Sequence, residues 1–307
     1  MRAVRAGTLA AMAAMVGLLQ LTACGGGGDA APVAPVTPAV PAAAPPPVAA
    51  DPTPPAPPVA AGPAPAGYRL VWADEFDAPG LPDASRWGYD TERNRLGWWN
   101  RELQYYGAAR MQNSVVEDGR LRITARHESL SSLADWGGQR YSSARLITRG
   151  KAQWTYGFFE IRAKMPCGRG TWPAIWMLGS GGIWPDDGEI DIMEHRGSDP
   201  TRVLGTVHTP TTGSSGNGSI TTVADACTAF HDYQMHWTPT EIAIGVDGVV
   251  YHRYANRGTG RRDWPFDAPQ YMLLNIAIGG SLGGAVDDAI FPVTMEIDHV
   301  RVWQLAR

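Results

Sequence analysis

Glu189, Asp191 and Glu194 fall within one short run, Gly188-Glu189-Ile190-Asp191-Ile192-Met193-Glu194-His195. Three carboxyls this close can act as nucleophile and acid, hold a calcium ion, or simply coat a solvated strand. Residues 189–192 alternate acid and apolar, as a strand with one polar face does. Strict alternation would turn Glu194 to the core side, where an unpaired carboxylate is costly. A one-residue β-bulge near Ile192-Met193 restores the phase and returns Glu194 to the face of the other two. Glu189 and Glu194 are then about four strand steps apart, on the order of 13 Å between Cα atoms. Side chains leaning together would bring the carboxyls to about 5 Å, the gap used by retaining glycosidases. Inverting enzymes need a wider gap for a water molecule. Asp191 sits between the two and can hydrogen-bond one of them. Three such acids cannot all ionise cheaply, so one pKa is expected to rise.

The segment Thr171-Trp172-Pro173-Ala174-Ile175-Trp176-Met177-Leu178 carries two tryptophans that share a face on a strand. Both could fill a core. Beside a strand of carboxylates they also suit a pyranose, whose C–H surface stacks on an indole while its hydroxyls meet polar groups.

Strands must position these groups, because long helical periodicity is absent. The candidates are 68–73, 120–126, 141–148, 153–165, 171–178, 189–195, 202–209, 232–237, 241–247, 249–255, 271–278 and 293–303. Asp118-Gly119, Asp187-Gly188 and Asp247-Gly248 mark turns between them, and the last suits a tight hairpin. Many short strands at this spacing predict an all-β sandwich of two antiparallel sheets. The small, polar run 211–222 reads as a mobile loop flanking the cleft.

Of the 307 residues, 25–66 hold 14 of the 25 prolines and none of the aromatics. That segment reads as an extended linker, leaving 307 − 66 = 241 residues for one globular domain, 67–307. Residues 1–23 have Arg2 and Arg5 before a short apolar stretch, as a signal peptide does. Leu21-Thr22-Ala23-Cys24 resembles a bacterial lipobox, which implies acylation of Cys24, with 24–66 as lipidated cysteine plus spacer. The expected localisation is therefore exported and lipid-anchored to the cell envelope (the outer membrane if the cell is Gram-negative) or extracellular. Cys167 and Cys227 are an even pair in an oxidising compartment and suggest a disulfide. Two buried free thiols are the alternative. The net charge is −4 and only Lys151 and Lys164 are lysines, which argues against a nucleic-acid partner. Walker, C-x-x-C and H-E-x-x-H motifs are absent from the sequence.

Glu189-Ile190-Asp191-Ile192-Met193-Glu194 closely resembles the E-[IL]-D-[IV]-M-E signature of glycoside hydrolase family 16, in its bulged, laminarinase-like branch. The resemblance runs through residues 67–307. It includes Asn100-Arg101-Glu102-Leu103-Gln104-Tyr105-Tyr106, Gly170 to Met177, Leu274 to Gly280 and Met295 to Val302. It implies a β-jelly roll with a concave substrate cleft and a retaining endo-glycosidase acting on β-1,3-glucan or mixed β-1,3/1,4-glucan. Glu189 would be the nucleophile, Glu194 the acid/base and Asp191 their helper. Trp172, Trp176, Asn100, Arg145 and His208 would line the cleft, with Glu102 and Gln104 bracing the N-terminal loop. No cofactor is implied for catalysis. A structural calcium would sit on the Glu75 and Gly119 carbonyls and the Asp298 carboxylate. The expected partner is the polysaccharide alone, with the membrane reached only through the lipid and the protein a monomer. The last cleft loop, Gly279-Gly280-Ser281-Leu282-Gly283-Gly284, lacks the tryptophan that many laminarinase-like relatives carry there. Rival readings are another family 16 specificity (agarase, carrageenase, transglycosylase), a non-catalytic lectin on the same sandwich, or an envelope scaffold.

Overall fold

The computed structural model describes residues 64–306. In chain order the strands begin β1 (Tyr68–Asp74), β2 (Gly88–Tyr89), β3 (Gln104–Tyr106), β4 (Ser114–Glu117), β5 (Arg120–His127) and β6 (Tyr141–Ser143). They continue as β7 (Arg145–Ile147), β8 (Gly157–Lys164), β9 (Thr171–Gly179), β10 (Glu189–His195), β11 (Arg202–His208) and β12 (Asn217–Thr222). The last are β13 (His231–Trp237), β14 (Glu241–Val246), β15 (Val249–Ala255), β16 (Gln270–Ile278) and β17 (Val293–Leu305). The leader, Cys24 and the linker up to residue 63 lie outside the described residues.

Two sheets form the jelly-roll sandwich. One has seven strands in the order β12-β11-β10-β9-β16-β7-β2 and carries the acid strand near its middle. The other has ten, with β15-β14-β13-β8-β17-β5-β6-β3 in line, β1 on β17 and β4 on β5. Alternation explains which faces meet. Ile175 and Met177 of β9, Ile190 and Ile192 of β10, and Met272, Leu274 and Ile276 of β16 are fully buried. They join one core with Phe159 and Ile161 of β8, Tyr233 and Met235 of β13, and Ile297 and Val302 of β17. Burying each such side chain contributes about 1.5–3 kcal/mol, so this face fixes the register and the opposite face is left for chemistry.

Some expected elements differ. The 141–148 run breaks at Ala144, and β6 and β7 join different sheets. The 153–165 run starts late, at β8, because Tyr156 and Gly157 both have positive φ. Part of the 211–222 loop is edge strand: β12 pairs residue by residue with β11. Its only apolar side chain is Ile220; pairing of its backbone with an otherwise open sheet edge supplies the reason. The Asp247-Gly248 turn does join β14 and β15, with φ of 51° and 79°.

Cys167 and Cys227 form a disulfide across a sequence separation of 60, with Cα atoms 5.8 Å apart. Closing a loop of that length removes about 4 kcal/mol of chain entropy from the unfolded state.

Candidate active site

The acid strand folds as a bulged strand. Against β11, Glu189, Asp191 and Glu194 oppose His208, Thr206 and Leu204, with a register shift between Asp191 and Glu194. Against β9 they oppose Leu178, Trp176 and Ala174, with the shift between Asp191 and Met193. Ile192 and Met193 are consecutive and both fully buried. Two successive residues thus face the core, and Glu194 is released to the side of Glu189 and Asp191.

Each acid has a named partner on that face. Trp172 Nε1 donates to Glu194 Oε1 at 2.9 Å. Trp184 Nε1 donates to Glu189 Oε2. His208 Nε2 stands 3.3 Å from Asp191 Oδ2, while its Nδ1 donates to the Gly213 carbonyl at 2.8 Å. Both ring nitrogens therefore meet acceptors, which suits the doubly protonated ring. Burial opposes that cation, but the Asp191 hydrogen bond, the charges of Asp191 and Glu189, and the Gly213 carbonyl push the His208 pKa up to about 10.

All three carboxyls, rather than one, are raised. Burial and then the charge of Asp191 raise Glu189. Burial and then the charge of Glu194 raise Asp191. Burial and then the charge of Glu189 push Glu194 up to about 7, against the Trp172 N–H. Taken singly, Glu189 would be the last to ionise; the set, however, titrates together. The His208 cation lies with Glu189 and Asp191, whose ligand atoms and its own all fall within 4.8 Å of one another. Its charge lowers all three carboxyls, against the burial and mutual repulsion that raise them. Held as a cation, His208 also offers no ring lone pair with which those three could bind a metal.

The other expected cleft residues are employed in different ways. Trp176 is half-buried, and its Nε1 donates to Asn275 Oδ1 at 2.7 Å. Arg145 is buried, pairs with Asp90 at 3.1 Å, and has its guanidinium 4.7 Å from the Trp176 ring and 5.1 Å from Trp98. This pairing and the two rings hold the Arg145 guanidinium in place. Asn100 is exposed in a 3₁₀ turn, Trp99–Arg101, with φ of 57°. Gln104 bonds Glu102 at 2.9 Å and accepts from the Ile278 N–H at 2.7 Å, tying this segment to β16.

Trp184, Asn275, Asp90 and Trp98 were not anticipated. Trp184 had a signal, an aromatic five residues before Glu189 in a Gly-rich turn. Asn275 and Asp90 had none, since their partners are distant in sequence.

Calcium at Glu75, Gly119 and Asp298 fits poorly. The Asp298 carboxylate faces Arg120 at 3.9 Å, Arg162 at 3.8 Å and His299 at 3.3 Å. Glu75 is held by Arg301 through two 2.8 Å bonds. Calcium takes six to eight oxygens, and here guanidinium charge stands beside the one carboxylate on offer.

What the arrangement can do is attack a carbon with one buried carboxylate while a second, protonated one delivers a proton. The sequence profile of Glycosyl hydrolases family 16 matches residues 103–299. A beta-glucanase of Rhodothermus marinus is 50% identical over 254 residues, covering 77% of this chain and 85% of that protein. The crystal structure of SCLam, a non-specific endo-beta-1,3(4)-glucanase, superposes with a TM-score of 0.78 at 54% identity, covering 79% of this chain and 93% of that one. The laminarinase of Rhodothermus marinus superposes with a TM-score of 0.73 at 47% identity, covering 78% and 98%.

Proposed function

The chain belongs to glycosyl hydrolases family 16, and from that premise we propose a retaining endo-glycosidase acting on β-1,3-glucan or mixed β-1,3/1,4-glucan. It is a glycoside hydrolase. The observation that carries the mechanism is the bulge that sets Glu189, Asp191 and Glu194 on one open face.

Glu189 attacks the anomeric carbon of the bound glucan. The glycosidic C–O bond breaks as Glu194 gives its proton to the leaving oxygen, and a glycosyl ester forms on Glu189. Glu194, now ionised, takes a proton from water, which attacks the same carbon and releases Glu189 as a carboxylate. Asp191 and His208 act through the pair. Their ion pair holds Asp191 in place, and the imidazolium offsets negative charge where Glu189 must ionise. Trp172 orients Glu194 and Trp184 orients Glu189 through their N–H groups.

Purified protein given a panel of glucans should release reducing sugar from laminarin and mixed-linkage glucan, with the β-anomer first in NMR. Agarose or carrageenan as the only substrate cleaved would reject the linkage, and early α-anomer would reject the covalent step.

The leader supports export with acylation at Cys24, and the Pro-rich run supports a spacer between lipid and enzyme. Labelled palmitate should enter the wild-type protein and not Cys24→Ser; equal labelling would remove the anchor.

A further inference from the structure

We propose that Trp99 is an outer stacking platform for a glucosyl ring far from the scissile bond, so that this enzyme favours long chains. The proposal rests on the glucanase reading. The cleft floor continues outward as a row of alternating rings and cations. Trp176, opposite Asp191 in register, stacks on Arg145, and Arg145 stands against Trp98. Trp98 is buried, fixed by Nε1 to Asn94 Oδ1 at 3.2 Å and edge-on to Tyr106 at 4.7 Å. Trp99 follows, 6.2 Å from Trp98, and is 57% exposed.

Trp99 is held although it is exposed. Arg93 covers it at 4.6 Å from the ring centroid, and Arg93 Nε is tied to the Gly97 carbonyl at 3.2 Å. Asn100 and Arg101 both adopt left-handed φ, 57° and 62°, to make the turn. The Glu102 N–H returns to the Trp99 carbonyl at 3.1 Å, Glu102 pairs with Gly279, and the Leu103 N–H bonds the Ile278 carbonyl at 2.9 Å. These bonds stitch the turn to the end of β16, beside the helical turn Gly280–Gly283, which has no aromatic of its own. An indole fixed in this way keeps open surface for a flat apolar partner at little ordering cost. A pyranose presents such a surface, and a glucan lying across the strands leads to this wall. Arg145, beneath Trp98, is on β7, three strands from β10 and roughly 14 Å away. A ring stacked on Trp99 therefore belongs to a long chain, not to the cleaved disaccharide.

The test compares kcat/KM on laminarin with kcat/KM on the shortest laminari-oligosaccharide that the wild type cleaves. Trp99→Ala should lower the polymer-to-oligosaccharide ratio about tenfold, mainly through KM on the polymer. Trp99→Phe should restore most of it, and Leu96→Ala, at a nearby 71% exposed site, should change it less than about twofold. An unchanged ratio in Trp99→Ala overturns the platform alone. A ratio lowered equally by Leu96→Ala, or not restored by Phe, assigns the effect to the shape of the turn and overturns it as well. A wild type that cleaves no β-glucan overturns both the platform and the reading on which it stands.

Discussion

Glu189→Gln is expected to lower kcat on laminarin by about 10⁴-fold or more, with glucan affinity changed only a few-fold. Gln has nearly the shape of Glu, and its carbonyl can still accept the Trp184 N–H. What it loses is the ability to form and release a glycosyl ester. Removing a buried negative charge also relaxes Glu194, so the variant should fold at least as well as the wild type. A second variant isolates the chemistry: Glu189→Ala opens space on the attacking side, and azide should then give an α-glycosyl azide from an activated β-glucoside. Steady-state rates and NMR of the product decide it. Activity of Glu189→Gln within tenfold of wild type, or a β-configured azide, would exclude Glu189 as the nucleophile.

A loss of about 10²- to 10⁴-fold is expected for Glu194→Gln on laminarin. A much smaller loss is expected on a substrate whose leaving group needs no proton. The pH profile gives the same assignment independently. Glu194 must hold its proton in the first step, and burial followed by the Glu189 charge places its pKa at about 7. Below that pH the proton is present; as pH rises through it the proton is lost and the rate falls. On the acid side Glu189 must be ionised, and it gains a proton as pH falls, so the rate falls there too. The wild-type profile is expected to be a bell whose alkaline limb lies near 7, and Glu194→Gln should lack that limb. Persistence of the limb in the variant would assign it to another group.

The acid strand was readable because its signal is local. Alternation over residues 189–192 sets a face, and the misfit of Glu194 demands one extra residue at Ile192-Met193, where the register does shift. The shared face of Trp172 and Trp176 follows from the same two-residue period, and both are half-buried there. Arg145 was different. Its expected place among sugar-contacting groups came from resemblance, while Asp90, Trp98 and Trp176 enclose it from three separate segments. His208 lay in the right strand, but only the pairing of β10 with β11 set it against Asp191. Residues 217–222 read as loop because their composition is polar, and they are strand because β11 had an edge to fill.

By itself, then, the order of residues determined the strand periods, the bulge, the three acids and the two sheets they call for. The pairing of remote segments decided the rest: which ring backs which cation and which N–H reaches each carboxylate. The reason is one of range. A side chain's face is set by its neighbours one and two places along the chain. Its charge state and partners are set by burial and by fields from groups that only folding brings within a few ångströms.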